Sequence, residues 1–229
     1  MAKQKEEKKP KPTISSLDQL LSGLKKQFGE DSGVILGKTD IKKSILWVPL
    51  DSPKITDAFG GPGYPRGRQI EIFGHESSGK TSLATYLGAQ TQKYWFEDKQ
   101  RFGQVAIIDA EHAFDPTYAK AFGLDLNRVI FTQPNSGEEG LSQAQYFLES
   151  GQVDAIIIDS VDALQPQAII DGEFGDATMG VHARLMSTAC RKFNTMLKPT
   201  SATIFWINQI RAAIGCVSSE TTLTWRKAT

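Results

Sequence analysis

The stretch QIEIFGHESSGKT, residues 69–81, decides the fold of this chain. It joins an apolar strand pattern to a loop of the form G-x-x-x-x-G-K-[ST], and a helical pattern follows. Glycines let such a loop curl so that its N–H groups point inward, and the helix directs its positive end at the same anion. The stretch therefore predicts a site for ATP and Mg²⁺. The predicted contacts are Gly74, Glu76, Ser77, Ser78, Gly79, Lys80, Thr81 and Ser82.

Two of these residues have a defined chemical task. Lys80 is expected to reach the β- and γ-phosphates, which also makes it a candidate catalytic residue. The hydroxyl of Thr81 is a candidate ligand of Mg²⁺.

From residue 69 onward, apolar runs alternate with helical patterns. Several runs are apolar throughout, as expected for parallel strands covered on both faces. The alternation predicts an α/β fold with a mostly parallel, doubly wound sheet. The strand candidates are 69–73, 105–108, 129–131, 155–158 and 202–207, and the helical segments are 80–96, 115–122, 138–150 and 180–198.

The segment before the loop has its own organisation. Residues 1–13 form a basic tail, expected to be flexible. In residues 14–48, apolar positions from Leu17 to Phe28 predict an amphipathic helix that begins at Ser15 or Ser16 and ends at Gly29, and residues 33–36 predict a strand. Residues 60–67, rich in glycine and proline, predict a loop.

Composition narrows the class of protein. The 229 residues include 40% hydrophobic residues, 26 basic and 26 acidic residues, and two cysteines. No run is apolar enough to span a membrane, and two cysteines give neither a disulfide framework nor metal-ligand spacing. We expect a reduced cytoplasmic protein without a membrane partner. The balanced charge leaves nucleic-acid binding to the local placement of Arg and Lys.

Polar residues follow three of the predicted strands. Because ligands bind at the carboxyl ends of parallel strands, these residues should share one edge of the sheet. Asp159 is a candidate Mg²⁺ ligand, Glu111 a candidate general base for the attacking water, and Gln209 a candidate sensor of the γ-phosphate. For each carboxylate the alternative is a structural role, capping the next helix.

Five motifs along the chain resemble those of the bacterial and phage RecA family, in the same order and at similar spacing. They are GHESSGKT at 74–81, DAEHAFDP at 109–116, IDS at 158–160, GDATMG at 175–180 and INQIR at 207–211.

The resemblance implies a RecA-like ATPase core that forms filaments of its own copies on single-stranded DNA and carries out homologous pairing and strand exchange. It also implies that Glu111 is the catalytic carboxylate, that Gln209 senses the phosphate and that Asp115 and Tyr118 contact adenine. The helix and strand in residues 14–48 would dock onto the adjacent copy.

A DNA surface is predicted next to this core. Residues 171–180 resemble the family's first DNA loop, where Met179 would wedge between bases beside Gly180. In the helix that follows, Arg184, Ser187 and Arg191 share a face opposite an apolar one, which suits phosphate contacts. Arg211, at the entry to a second DNA loop, completes the predicted set.

The pattern departs from the family after Gly215, so the core is assigned to 49–215 and a separate tail to 216–229. Three alternatives stay open. The chain is a truncated recombinase, a RecA-like regulator that binds ATP without recombining DNA, or the first part of a recombinase split by an intein. In the third, Cys216 is the splicing nucleophile and a separate chain supplies the rest of the intein and recombinase.

Overall fold

The computed structural model describes residues 16–38, 45–173 and 180–210. The chain divides between Ile45 and Leu46 into two compact units. The predicted limits of the tail, the docking segment and the core remain predictions.

The first unit contains the predicted helix, α1 (Leu17–Phe28). The hydroxyl of Ser16 caps it by accepting the N–H of Gln19, and Gly29 ends it with a positive φ of 99°. The strand predicted at residues 33–36 is wrong, because Glu30–Ser32 and Leu36–Lys38 are 3-10 turns. The N–H of Lys38 donates to the carbonyl of Ile35 at 2.9 Å, so this backbone bonds locally and not to a neighbouring strand.

The second unit is built on a five-stranded sheet in the order β3-β9-β8-β6-β7, and each neighbouring pair is parallel. The strands are β3 (Gln69–Gly74), β6 (Val105–Asp109), β7 (Val129–Thr132), β8 (Ala155–Asp159) and β9 (Thr203–Gln209). The predicted α/β class is confirmed.

Helices cover both faces of this sheet, which explains why its central strands are apolar throughout. Alternate side chains point to opposite faces, so Ile107 and Ile157 pack in one buried cluster while Ile108 and Ile158 pack in the other. The helices are α2 (Pro53–Phe59), α3 (Lys80–Lys93), α4 (Pro116–Ala121), α5 (Gly137–Ser150), α6 (Gln167–Ile170) and α7 (Val181–Thr200).

Two short antiparallel strand pairs differ from the sequence prediction. Within the predicted loop at 60–67, β2 (Gly63–Pro65) pairs with β1 (Trp47–Pro49). A Cβ on Gly63 would lie 1.9 Å from the carbonyl oxygen of Val48, so this pairing requires glycine. The helix predicted to run to residue 96 ends at Lys93, because β4 (Trp95–Phe96) turns back to pair with β5 (Arg101–Phe102).

No helix among the described residues is long and apolar enough to cross a membrane.

Candidate nucleotide and DNA site

The G-x-x-x-x-G-K-T loop connects β3 to α3 and leaves its backbone open to solvent. A Cβ on Gly74 would lie 2.7 Å from Oγ of Ser78, so the loop curls back closely onto this glycine. Gly79 has a φ of +84° and nothing within 4 Å of its missing Cβ, which leaves the mouth of the loop clear. Nζ of Lys80 donates to the carbonyl of His75 at 2.7 Å, so its ammonium group lies over the loop. The loop has the shape of a phosphate cradle.

A hydroxyl and a carboxylate meet beside this cradle. Oγ1 of Thr81 donates to Oδ2 of Asp159 at 2.7 Å. Burial raises the pKa of Asp159 to about 6, and the nearby carboxylates of Glu111 and Asp109 act in the same direction, against the hydrogen bond from Thr81. The two residues predicted as Mg²⁺ ligands are therefore together.

Glu111 lies on the loop after β6, with its side chain exposed. Oε1 of Glu111 accepts the amide of Gln209 at 3.1 Å and also accepts the hydroxyl of Ser160. Ser160 follows Asp159 directly and is fully buried. The predicted base and the predicted phosphate sensor are thus in direct contact, and Ser160, which has no assigned role in the sequence prediction, also bonds to the base.

Asp109 is a second residue that sequence reasoning left without a role. It is 2% exposed, and its carboxylate accepts the N–H groups of Ala113 and Phe114 and the amide of Gln133. These bonds fold the loop that carries Glu111 back onto the end of β6. The sequence did contain a signal for this role of Asp109, because Asp109 ends an apolar strand and lies two residues before Glu111.

The predicted adenine contacts lie near the start of α3. The hydroxyls of Tyr118 and Ser82 are 2.9 Å apart, and half of the Tyr118 side chain is exposed. Asp115 caps α4 by accepting the N–H groups of Thr117 and Tyr118 at 2.8 and 3.2 Å. Asp115 therefore caps the helix that carries Tyr118.

The predicted DNA helix is α7, which begins after Gly180 (φ 78°). Arg184, Ser187 and Arg191 are all exposed, while Ala189, Phe193 and Leu197 on another face are buried. Nε of Arg191 donates to the carbonyl of Ser187 at 3.2 Å, which aligns these two residues. The helix contains four Lys or Arg residues and no Asp or Glu.

Three predicted residues, Met179, Arg211 and Cys216, lie outside the described residues.

Comparison with known proteins gives matches over almost the whole sequence. The profile of the RecA N-terminal domain matches residues 15–228 and so continues past Cys216, where the sequence analysis places the departure. Protein RecA of Borrelia duttonii is 47% identical over 201 residues, covering 87% of this chain and 53% of that protein. Protein RecA of Treponema denticola is 45% identical over 215 residues, covering 93% of this chain and 50% of that protein.

The chain thus spans about half the length of the curated relatives it matches. With the fold, the phosphate loop and the profile match in agreement, the chain belongs to the RecA family.

Proposed function

We propose that this chain is the ATP- and single-stranded-DNA-binding part of a RecA-type recombinase, which assembles into filaments and supports homologous pairing and strand exchange. One observation carries the proposal. Lys80 and Thr81 of the loop, Asp159, and the Glu111–Gln209 pair belong to four separate segments, and hydrogen bonds and strand pairing bring these segments to one edge of the sheet.

The residues present fit ATP. The loop offers backbone N–H groups, the start of α3 and the ammonium group of Lys80 to the phosphates. Exchange of the His75 carbonyl for a phosphate oxygen would give Lys80 a stronger, charge-assisted partner. Tyr118 offers an exposed ring for stacking on the base.

The residues also fit Mg²⁺. A hydroxyl and a carboxylate oxygen are hard ligands, and Mg²⁺ in nucleotide sites takes only one or two protein ligands besides phosphates and water. Thr81 and Asp159 would hold the ion. When bound, Mg²⁺ supplies positive charge that neutralises the phosphate oxygens.

Glu111 is the carboxylate best placed for hydrolysis. It is exposed at the rim, and Ser160 and Gln209 both bond to one of its two oxygens, so Oε2 is left to accept a proton. Water attacks the γ-phosphorus and passes a proton to Glu111. The bond from the γ-phosphorus to the bridging oxygen breaks, and ADP leaves with phosphate.

The DNA assignment depends on the exposed face of α7. Arg184 and Arg191 are seven residues apart, which is about 10 Å along a helix. Both can therefore contact one phosphate backbone, with the hydroxyl of Ser187 between them. Sequence-independent contacts of this kind suit a protein that must bind any single strand.

Self-association has support from exposed apolar side chains. In α1 no residue is buried, and Leu17 and Phe28 are 70% and 69% exposed. On the edge strand β7, Ile130 and Phe131 are 45% and 42% exposed. Exposed apolar surface of this kind marks contact sites, and we assign it to neighbouring copies in a filament.

Binding measurements with a fluorescent ATP analogue and a labelled single strand test the proposal, with Glu111→Gln as the comparison. We expect both chains to bind the analogue with Mg²⁺, and we expect Glu111→Gln to lower the rate of hydrolysis by about 10²–10⁴-fold to a slow residual rate. A folded chain that binds neither ligand contradicts the proposal. The regulatory and intein alternatives have no observation in their favour among the described residues, and the family match extends to residue 228.

A further inference from the structure

Two donors share one oxygen of Glu111. The hydroxyl of Ser160 and the amide of Gln209 both donate to Oε1, which accepts two hydrogen bonds through its two lone pairs. The donors differ in mobility. Ser160 has 0% exposure and a short side chain, whereas Gln209 is half-buried at the end of β9 and has a long one.

This difference has a consequence during turnover. As the predicted sensor of the γ-phosphate, Gln209 would turn its amide toward that phosphate and away from Glu111. An exposed glutamate held by no other group would then sample several rotamers at the moment when it must accept a proton. Catalytic groups must be held within about 0.5 Å of their working position.

We propose that Ser160 is the positioning residue of Glu111, and that it keeps the carboxylate aimed at the attacking water when Gln209 turns to the phosphate. Ser160 is fully buried and its hydroxyl donates to Glu111, so we expect it to act through Glu111. The backbone next to Ser160 also holds the loop that carries Glu111. The carbonyl of Asp159, at the preceding peptide, accepts the N–H groups of Ala110 and Glu111 at 2.7 and 3.2 Å, which joins this strand end to the glutamate loop. The inference rests on the proposed function.

The kinetic test uses three substitutions at Ser160 in DNA-stimulated ATP hydrolysis. Ser160→Ala should lower kcat by about tenfold or more and change the KM for ATP by less than about twofold, because misplacing a catalytic group affects the chemical step. Ser160→Cys keeps the volume without a strong donor and should resemble Ser160→Ala. Ser160→Thr keeps the hydroxyl and should restore kcat to within about threefold of the parent value.

A double-mutant cycle tests whether the effect of Ser160 on kcat depends on Glu111. In a Glu111→Gln background, Ser160→Ala should lower kcat no further, because a residue that acts only through Glu111 has nothing left to position. An equal loss in both backgrounds overturns the proposal. Thr91→Val is the matched control, since it removes another buried hydroxyl, bonded to Tyr64, far along α3. This control should lower the melting temperature without a selective loss of kcat.

A second measurement does not depend on hydrolysis. The side-chain carboxyl ¹³C signal of Glu111 is recorded with Mg²⁺ and a non-hydrolysable ATP analogue. We expect this signal to move or broaden in Ser160→Ala but not in Thr91→Val. An unchanged signal overturns the positioning role even if the protein hydrolyses ATP. Absence of hydrolysis in the parent protein contradicts the proposed function, and the NMR signal then still decides the role of Ser160.

Discussion

Replacement of Asp159 by asparagine should stabilise the ligand-free protein. Burial raises the pKa of Asp159 from 3.8 to about 6. Each pKa unit corresponds to about 1.36 kcal/mol, so the ionised carboxylate disfavours the folded state by about 3 kcal/mol. The carboxylate is partly exposed, and solvent screening reduces this value to about 1–3 kcal/mol.

The pH dependence follows from the sign of the shift. The folded pKa lies above the unfolded one, so the folded state is penalised in full at pH values above 6. The penalty falls as the pH drops through 6 and is absent below 3.8, where both states are protonated. Asparagine carries no charge at any pH, and its Oδ1 can still accept the hydroxyl of Thr81. The advantage of Asp159→Asn should therefore be largest near neutral pH and vanish in acid.

Urea unfolding followed by circular dichroism, in the presence of a chelator, measures this difference at about pH 7.5, 6 and 4.5. Asp125→Asn is the matched control. Hydrogen bonds from Arg128 lower the pKa of Asp125, so neutralising it should give no gain in stability at any pH. An Asp159→Asn variant that is no more stable than the parent at pH 7.5, or an advantage that persists unchanged in acid, refutes the reasoning.

Three further variants test other parts of the structure. Lys80→Ala should abolish binding of a fluorescent ATP analogue while the circular dichroism spectrum stays the same, and undiminished binding by a folded variant would remove the phosphate assignment. The pair Arg184→Ala and Arg191→Ala should weaken single-strand binding and reduce its salt slope by about one to two, measured by fluorescence anisotropy. Lys192→Ala is the matched control, because Nζ of Lys192 donates to Gln145, and an equal effect of this control would contradict the helix-face assignment. Asp154→Asn should destabilise the fold by about 3–5 kcal/mol, because this fully buried carboxylate is paired with Lys99 and Arg101. A decrease of less than about 1 kcal/mol in the free energy of unfolding, measured in urea, would refute this role of the ion pairs.

The central sheet could be predicted because its signals are local. Each of its strands is an apolar run followed by polar residues, and α5 begins at Ser136, whose hydroxyl accepts the N–H of Glu139, and ends at Gly151 with a φ of 63°. The short strand pairs were missed because their strands have two or three residues, too few to show an alternation of apolar and polar side chains. The strand expected at residues 33–36 failed because an apolar run does not show whether a partner strand exists.

The sequence predicted which residues lie at one edge of the sheet but not their contacts. The acids and amide at strand ends could be assigned to one edge, since that follows from parallel strands alone. Whether Glu111 contacts Gln209 depends on which strands are neighbours, and this information is absent from the order of residues. The strand order and the hydrogen bonds of the structure supply it.

The strand order also explains why a small residue stands at position 160. β8 lies between β6 and β9, so Ser160 follows the middle strand, Glu111 follows one neighbour, and Gln209 ends the other. Adjacent strands are about 4.8 Å apart, so the two outer residues stand about 10 Å apart at their backbones. Glutamate and glutamine are each long enough to reach the middle, and they meet there. A large side chain at 160 would fill that space and separate Glu111 from Gln209. The middle position therefore requires a residue that is small enough to let them meet and polar enough to hold one of them, and serine satisfies both requirements.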